Sequence, residues 1–327
     1  MTANDCLDSA RTHSTAAGRR VAAQLRWLAA GLILLTAAIY WFSTLTRAGQ
    51  RIGEGALVAT WSLAAQTLLV ARGNLSVITG VSLVVAGLLV VLVAWWWRGL
   101  RSAVLVVLLI VGSLVVAEVL KNLVLPRPAL IPPLPGRADN TLPSGHTTIA
   151  MMVLLALLLV VPGRWRGLAA VVGVFLPVWI AVSVMAAGWH RPSDVMAAAT
   201  LVVAEVLLMV AWSISRGRSQ VVTPSGRLRG WTLWLIPLLL GGFGSLGLGL
   251  LLVASQWAVI AGQVPLQHLQ RKADPAALYG TILIVAGAIP LLVSVVLIAL
   301  RQVRLGVFVR QGADDHKVEP EAVGVGT

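Results

Sequence analysis

Charge is scarce in this chain and cysteine is nearly absent. Of its 327 residues, 11% are charged and 58% are hydrophobic, a balance that excludes an ordinary soluble globular protein. The single cysteine, Cys6, excludes an internal disulfide and a cysteine-built metal site. Carboxylates are scarcer than cations, 12 against 25, which leaves a net charge of +13. That excess alone invites a nucleic-acid reading, which the placement of the cations excludes. No internal repeat is evident. The polar stretch before about Gln24 carries no apolar segment ahead of a small-residue cleavage site, so the first apolar helix is expected to act as an uncleaved anchor.

What the chain has in abundance is long apolar runs. A membrane-spanning helix needs roughly 20 mostly apolar residues, and about eight stretches qualify, near 27–46, 76–97, 103–123, 146–162, 168–188, 193–213, 231–253 and 280–300. With the N-terminus inside, the inner segments carry Arg11, Arg19, Arg20 and Arg26; Arg98 and Arg101; Arg164 and Arg166; Arg216, Arg218, Arg227 and Arg229; and Arg301, Arg304, Arg310 and Lys317. Every inner loop is then basic, as the positive-inside rule requires. The charge is topological, with attraction to anionic lipid as a secondary effect. The expectation is an all-α, multi-pass protein of the plasma membrane, with both termini cytoplasmic, membrane lipids as neighbours and no nucleic-acid partner. No mark of oligomeric state is present.

The division expected is a basic cytoplasmic tail at 1–26, a six-helix body at 27–213, a basic linker at 214–230, a two-helix hairpin at 231–300 and a cytoplasmic tail at 301–327. The outer segment ALVATWSLAAQTLLVA reads as one interfacial or re-entrant helix, since a full span there inverts all that follows. The hairpin's GGFGSLGLG stretch, 241–249, is suited to close helix packing.

In this topology three polar patches share the outer face: Lys121 to Arg137, Pro143 to His146, and His190 to Asp194. Each has a plain reading. Lys121 can snorkel to the headgroups, Arg127 can be a rigid loop charge between two prolines, Ser144 or Thr147 can cap a helix, and Asp194 can suit a helix start. A helix N-terminus such as that of TLPSGHTT is equally a natural place for an anion. Taken together, two histidines, two strong cations and a carboxylate on one face point to chemistry.

The order Lys121…Arg127-Pro128, Pro143-Ser144-Gly145-His146 and Ser183…His190…Asp194 resembles the three-part signature of the type 2 phosphatidic acid phosphatase superfamily, over roughly residues 28–214. Two departures stand out. Five residues rather than six separate Lys121 from Arg127, and Val184 stands where the family has a phosphate-binding arginine. The resemblance implies a six-helix lipid-phosphatase-like bundle and metal-independent, cofactor-free hydrolysis of a lipid phosphate or polyprenyl pyrophosphate at the outer leaflet. His190 would form a phosphohistidine, Asp194 would set its tautomer, and His146 would serve the leaving group and then water. Lys121, Arg127, Ser144 and Gly145 would hold the phosphate, with Arg191 or Arg137 replacing the missing arginine. The alternative is a catalytically weakened member that binds phosphorylated lipid or acts as a membrane assembly partner.

Overall fold

The computed structural model describes residues 3–60, 65–131, 140–221, 228–256, 261 and 275–305. It is helical almost throughout. The helices are α1 (Ala3–Leu45), α2 (Arg47–Ala59), α3 (Ala65–Arg98), α4 (Leu100–Val119, continued by a π-helical turn, Leu120–Val124), α5 (Gly145–Val160), α6 (Gly163–Gly173), α7 (Phe175–Ala186), α8 (Pro192–Ser215), α9 (Leu228–Ala254) and α10 (Pro275–Leu300). Among the described residues, seven segments are long and apolar enough to cross a membrane, and Gly145–Val160 is a shorter apolar helix. Together they match the eight stretches expected. The chain is an all-α, multi-pass membrane protein.

The packing is that of a bundle in lipid. Large apolar side chains such as Trp27, Leu34, Leu108 and Leu251 lie exposed on the outer helices, where a soluble protein would put charge. The short helix α5 is buried along nearly its whole length and packs against α3, α4, α6, α7, α8 and α10. A helix apolar all round belongs at the centre of such a bundle. Among the described residues, the pair α9 and α10 makes the most extensive packing, and its glycines explain why. A Cβ at Gly249 would lie 2.6 Å from the Gly280 carbonyl, and one at Gly287 would lie 2.5 Å from that of Gly242. Lipid tails supply no hydrophobic drive between helices, so backbone proximity of this kind is what holds them.

One end of the bundle is fastened by arginine. Arg98 Nε donates to the Val160 carbonyl at 2.9 Å and Arg166 Nη1 to the Leu300 carbonyl at 3.2 Å, each a cation at a helix C-terminus, where the dipole favours it. At the same end Arg216 and Arg218 stack over Trp212. Two short antiparallel strands, β1 (Gln220–Val221) and β2 (Val303–Arg304), tie the end of α8 to the end of α10. Between α3 and α4 the chain reverses at Gly99, whose φ of +86° is open to glycine at little cost.

The outer segment expected to be one interfacial or re-entrant helix lies in part outside the described residues, at 61–64. Of its described residues, those up to Ala59 belong to α2 and those from Ala65 belong to α3. The apolar run spans the end of one helix and the start of the next, which composition alone does not separate. Helix α2 packs against α1, α8 and α10.

Candidate active site

At the end opposite the arginine caps, three stretches of chain converge. The first is the π-helical turn after α4, a geometry frequent at functional sites. It carries Lys121, whose Nζ donates to Glu118 Oε1 at 2.6 Å. Asn122 Nδ2 donates to the other oxygen of Glu118 at 3.1 Å. Asn140, on the returning strand of the loop, donates to the Leu125 carbonyl at 2.6 Å and the Lys121 carbonyl at 3.1 Å. This folds the PSGH segment back onto the end of α4.

The second stretch is the start of α5. Ser144 is its N-cap and accepts from the Thr147 N–H at 3.4 Å and the Thr147 hydroxyl at 3.1 Å. The capping reading of Ser144 is therefore correct as far as it goes, a contact that contributes about 1 kcal/mol. Gly145 is closely overlaid: a Cβ there would meet Glu118 Oε1 at 3.3 Å. His146 is half-buried, its ring 5.9 Å from that of Trp189 and 6.2 Å from that of His190.

The third stretch is the turn from α7 into α8. Gly188, at φ +68°, lets the chain reverse, and the N–H groups of Trp189 and His190 both point at the Val184 carbonyl, at 2.9 and 3.3 Å. His190 Nδ1 then faces Asp194 Oδ2 at 3.5 Å, four residues on, longer than an ordinary hydrogen bond. The Asp194 carboxylate is held by other donors: Thr141 Oγ1 at 2.5 Å and the Arg191 N–H at 2.9 Å, the latter the backward bond of a capping box. The Ser144 N–H donates to the Asp194 carbonyl at 2.9 Å, which joins the second stretch to the third.

His146, His190, Asp194, Lys121, Ser144 and Gly145 thus lie at one end of the bundle, with Arg127 and Arg191 on the side of Asp194. Arg127 Nη2 donates to Glu54 Oε1 at 3.0 Å, and Arg191 donates to the same oxygen from Nε at 2.9 Å and Nη2 at 2.8 Å. Burial lowers the pKa of Arg127 and the adjacent Arg191 pushes the same way, against Glu54 and Asp194. Arg137 lies outside the described residues. Val184 is fully buried within the apolar core. Among the described residues no group of three or more His, Cys, Asp or Glu is placed to hold a metal ion.

Two residues at the site were not legible beforehand. Thr141 was within the quoted motif but had no assigned partner, and Glu54 lies 73 residues from Arg127 in the chain. The one hint of Glu54 was its rarity, a carboxylate following Arg47 and Arg51 on an outer segment.

Residues 101–218 match the family model described as the PAP2 superfamily. No curated protein and no solved structure matches the chain. The matched region starts in α4 and ends just after α8, so it contains all three converging stretches, while Glu54 lies outside it. Across this region the chain is similar to the PAP2 superfamily, a group that generally comprises phosphatases.

Proposed function

We propose that the protein hydrolyses a lipid phosphate or polyprenyl pyrophosphate through a phosphohistidine, at the outer leaflet of the plasma membrane. The observation that carries this reading is the pairing of two imidazoles 6.2 Å apart, one of them backed by a carboxylate held by donors other than the ring. His190, with Nδ1–H turned to Asp194, attacks phosphorus through Nε2. The P–O ester bond breaks, its electron pair passes to the leaving oxygen, and His146 protonates that oxygen. His146 then takes a proton from water, which attacks phosphorus and releases Nε2. Lys121, Arg127 and the N-terminus of α5 at Ser144 and Gly145 stabilise the phosphoryl oxygens, with Arg191 or Arg137 in support. No metal or cofactor is required by this scheme.

A lipid substrate is favoured by an apolar cavity of about 400 Å³ between α3, α4 and α5, lined by Leu83, Gly87, Val107 and Ile149 and ending at His146. It offers a path for an acyl or prenyl chain whose phosphate lies at the histidines. In this reading residues 27–213 form the catalytic body and the hairpin at 231–300 buttresses it. The test is phosphate release by purified protein in mixed micelles from phosphatidic acid, phosphatidylglycerol phosphate and a polyprenyl pyrophosphate. Release from at least one is expected, with none from glucose 6-phosphate. The buried Val184 favours a second reading, a weakened member that binds such lipids without turnover, and binding with no release from any of the three would establish it in place of the first.

The outward orientation of the site is tested separately. In a Cys6→Ser background, Ala129→Cys should react with an impermeant maleimide from outside intact cells. Gln220→Cys should react only after the membrane is opened. Labelling of both from the same side would overturn the orientation.

A further inference from the structure

We propose that Glu54, on helix α2 and outside the matched family region, is the positioning residue that anchors Arg127 for phosphate binding. Its single oxygen Oε1 accepts from Arg127 and, twice, from Arg191, at 2.8–3.0 Å. The three side chains are 3–8% exposed, so their charges meet with little screening. Two guanidinium groups brought to one point repel each other, and without an anion between them Arg127, the one on a loop, would swing away. The other oxygen, Oε2, is buried with no hydrogen bond among the described residues, so the carboxylate's hold there falls on the arginines.

A second contact on the same face of α2 points the same way. Gln50, four residues earlier and therefore one turn away, is buried. It donates from Nε2 to the carbonyls of Thr44 and Pro128, both at 2.7 Å, and accepts from the Leu130 N–H at 3.2 Å. Helix α2 thus grips the backbone on the C-terminal side of Arg127 through Gln50 and its side chain through Glu54. Arg127 gives Glu54 only one Nη, which leaves Nε and Nη1 for a phosphate. With valine in place of the third-motif arginine, a fixed Arg127 matters more than it would in a site with a full set of cations.

This inference rests on the hydrolase reading and is tested so that the two can fail separately. Phosphate release from phosphatidic acid and from a polyprenyl pyrophosphate is measured for wild type, Glu54→Gln, Glu54→Asp, Glu54→Ala, Arg127→Ala and the double variant Glu54→Ala/Arg127→Ala. Glu54→Ala should lower kcat/KM about 10²-fold, the scale of a misplaced binding group. Glu54→Asp should recover part of that loss, and Glu54→Ala should add nothing once Arg127 is gone. In parallel, phenylglyoxal labelling of Arg127, read by peptide mass spectrometry, should accelerate in Glu54→Ala and in the isosteric Glu54→Gln. Additive losses, unchanged or raised turnover in Glu54→Ala, or equal labelling of Arg127 in all variants would overturn the proposal. Wild-type protein that releases phosphate from neither of these lipids nor from phosphatidylglycerol phosphate, while Arg127 is exposed by Glu54→Ala, overturns the hydrolase reading and supports the anchoring.

Discussion

His190→Ala is expected to reduce phosphate release on the order of 10⁶-fold, the scale seen when a catalytic nucleophile is removed, and to abolish acid-labile labelling of the protein by radioactive lipid phosphate. The second measurement matters because it separates a nucleophile from a group that merely binds. The substitution is safe for the fold: among the described residues His190 Nδ1 makes no hydrogen bond and only faces Asp194 at 3.5 Å, and the ring lies between helix ends rather than in the core. The turn that presents it is held by backbone contacts to the Val184 carbonyl, which alanine preserves. A variant that still turns over and still labels would end the phosphohistidine mechanism.

Asp194→Asn is expected to lower kcat on the order of 10⁴-fold, as the equivalent change does in a histidine-carboxylate catalytic triad. Asparagine retains one oxygen for Thr141 and the Arg191 N–H, the two donors at 2.5 and 2.9 Å, so the start of α8 should persist. What changes is the partner of His190. The oxygen that keeps those two donors is also the one that faces Nδ1, at 3.5 Å, and in asparagine it carries no charge, so the Nδ1–H tautomer and the positive charge that builds on the ring during attack both lose their stabilisation. Turnover and phosphoenzyme level should fall together while thermal stability changes little. A loss of less than tenfold would show that Asp194 serves only the helix start.

The long elements were readable from sequence because a helix in lipid must be apolar for its whole length, and the eight runs correspond to helices. The grouping of His146, His190 and Asp194 was readable because alternating spans bring segments far apart in the chain to the same face. Three features were not. The end of α2 at Ala59 and the start of α3 at Ala65 fall inside one apolar run, where nothing in composition marks either. Thr141 lies within the TLPSGHTT stretch, but its bond to Asp194, 53 residues on, has no local spacing that would announce it. Glu54 carries no local spacing relation to the residues it binds, since α2 meets Arg127 and Arg191 only once the bundle is assembled.

The position of α10 bears on how the protein is made. Its Val285, Ile289, Val293, Val296 and Leu300 complete the same core to which α5 and α8 contribute, and β2, directly after it, pairs with β1. Helices leave the ribosome in chain order, so α5, α7 and α8 are synthesised before the surface that covers them. Until Leu300 has entered the bilayer, that face must be occupied by lipid or an insertion factor, and the Arg166 side chain lacks the carbonyl it will cap. Assembly therefore finishes at the C-terminal end, and nascent chains stopped before Pro275 would be substrates for membrane quality control even though every residue of the histidine cluster is already present.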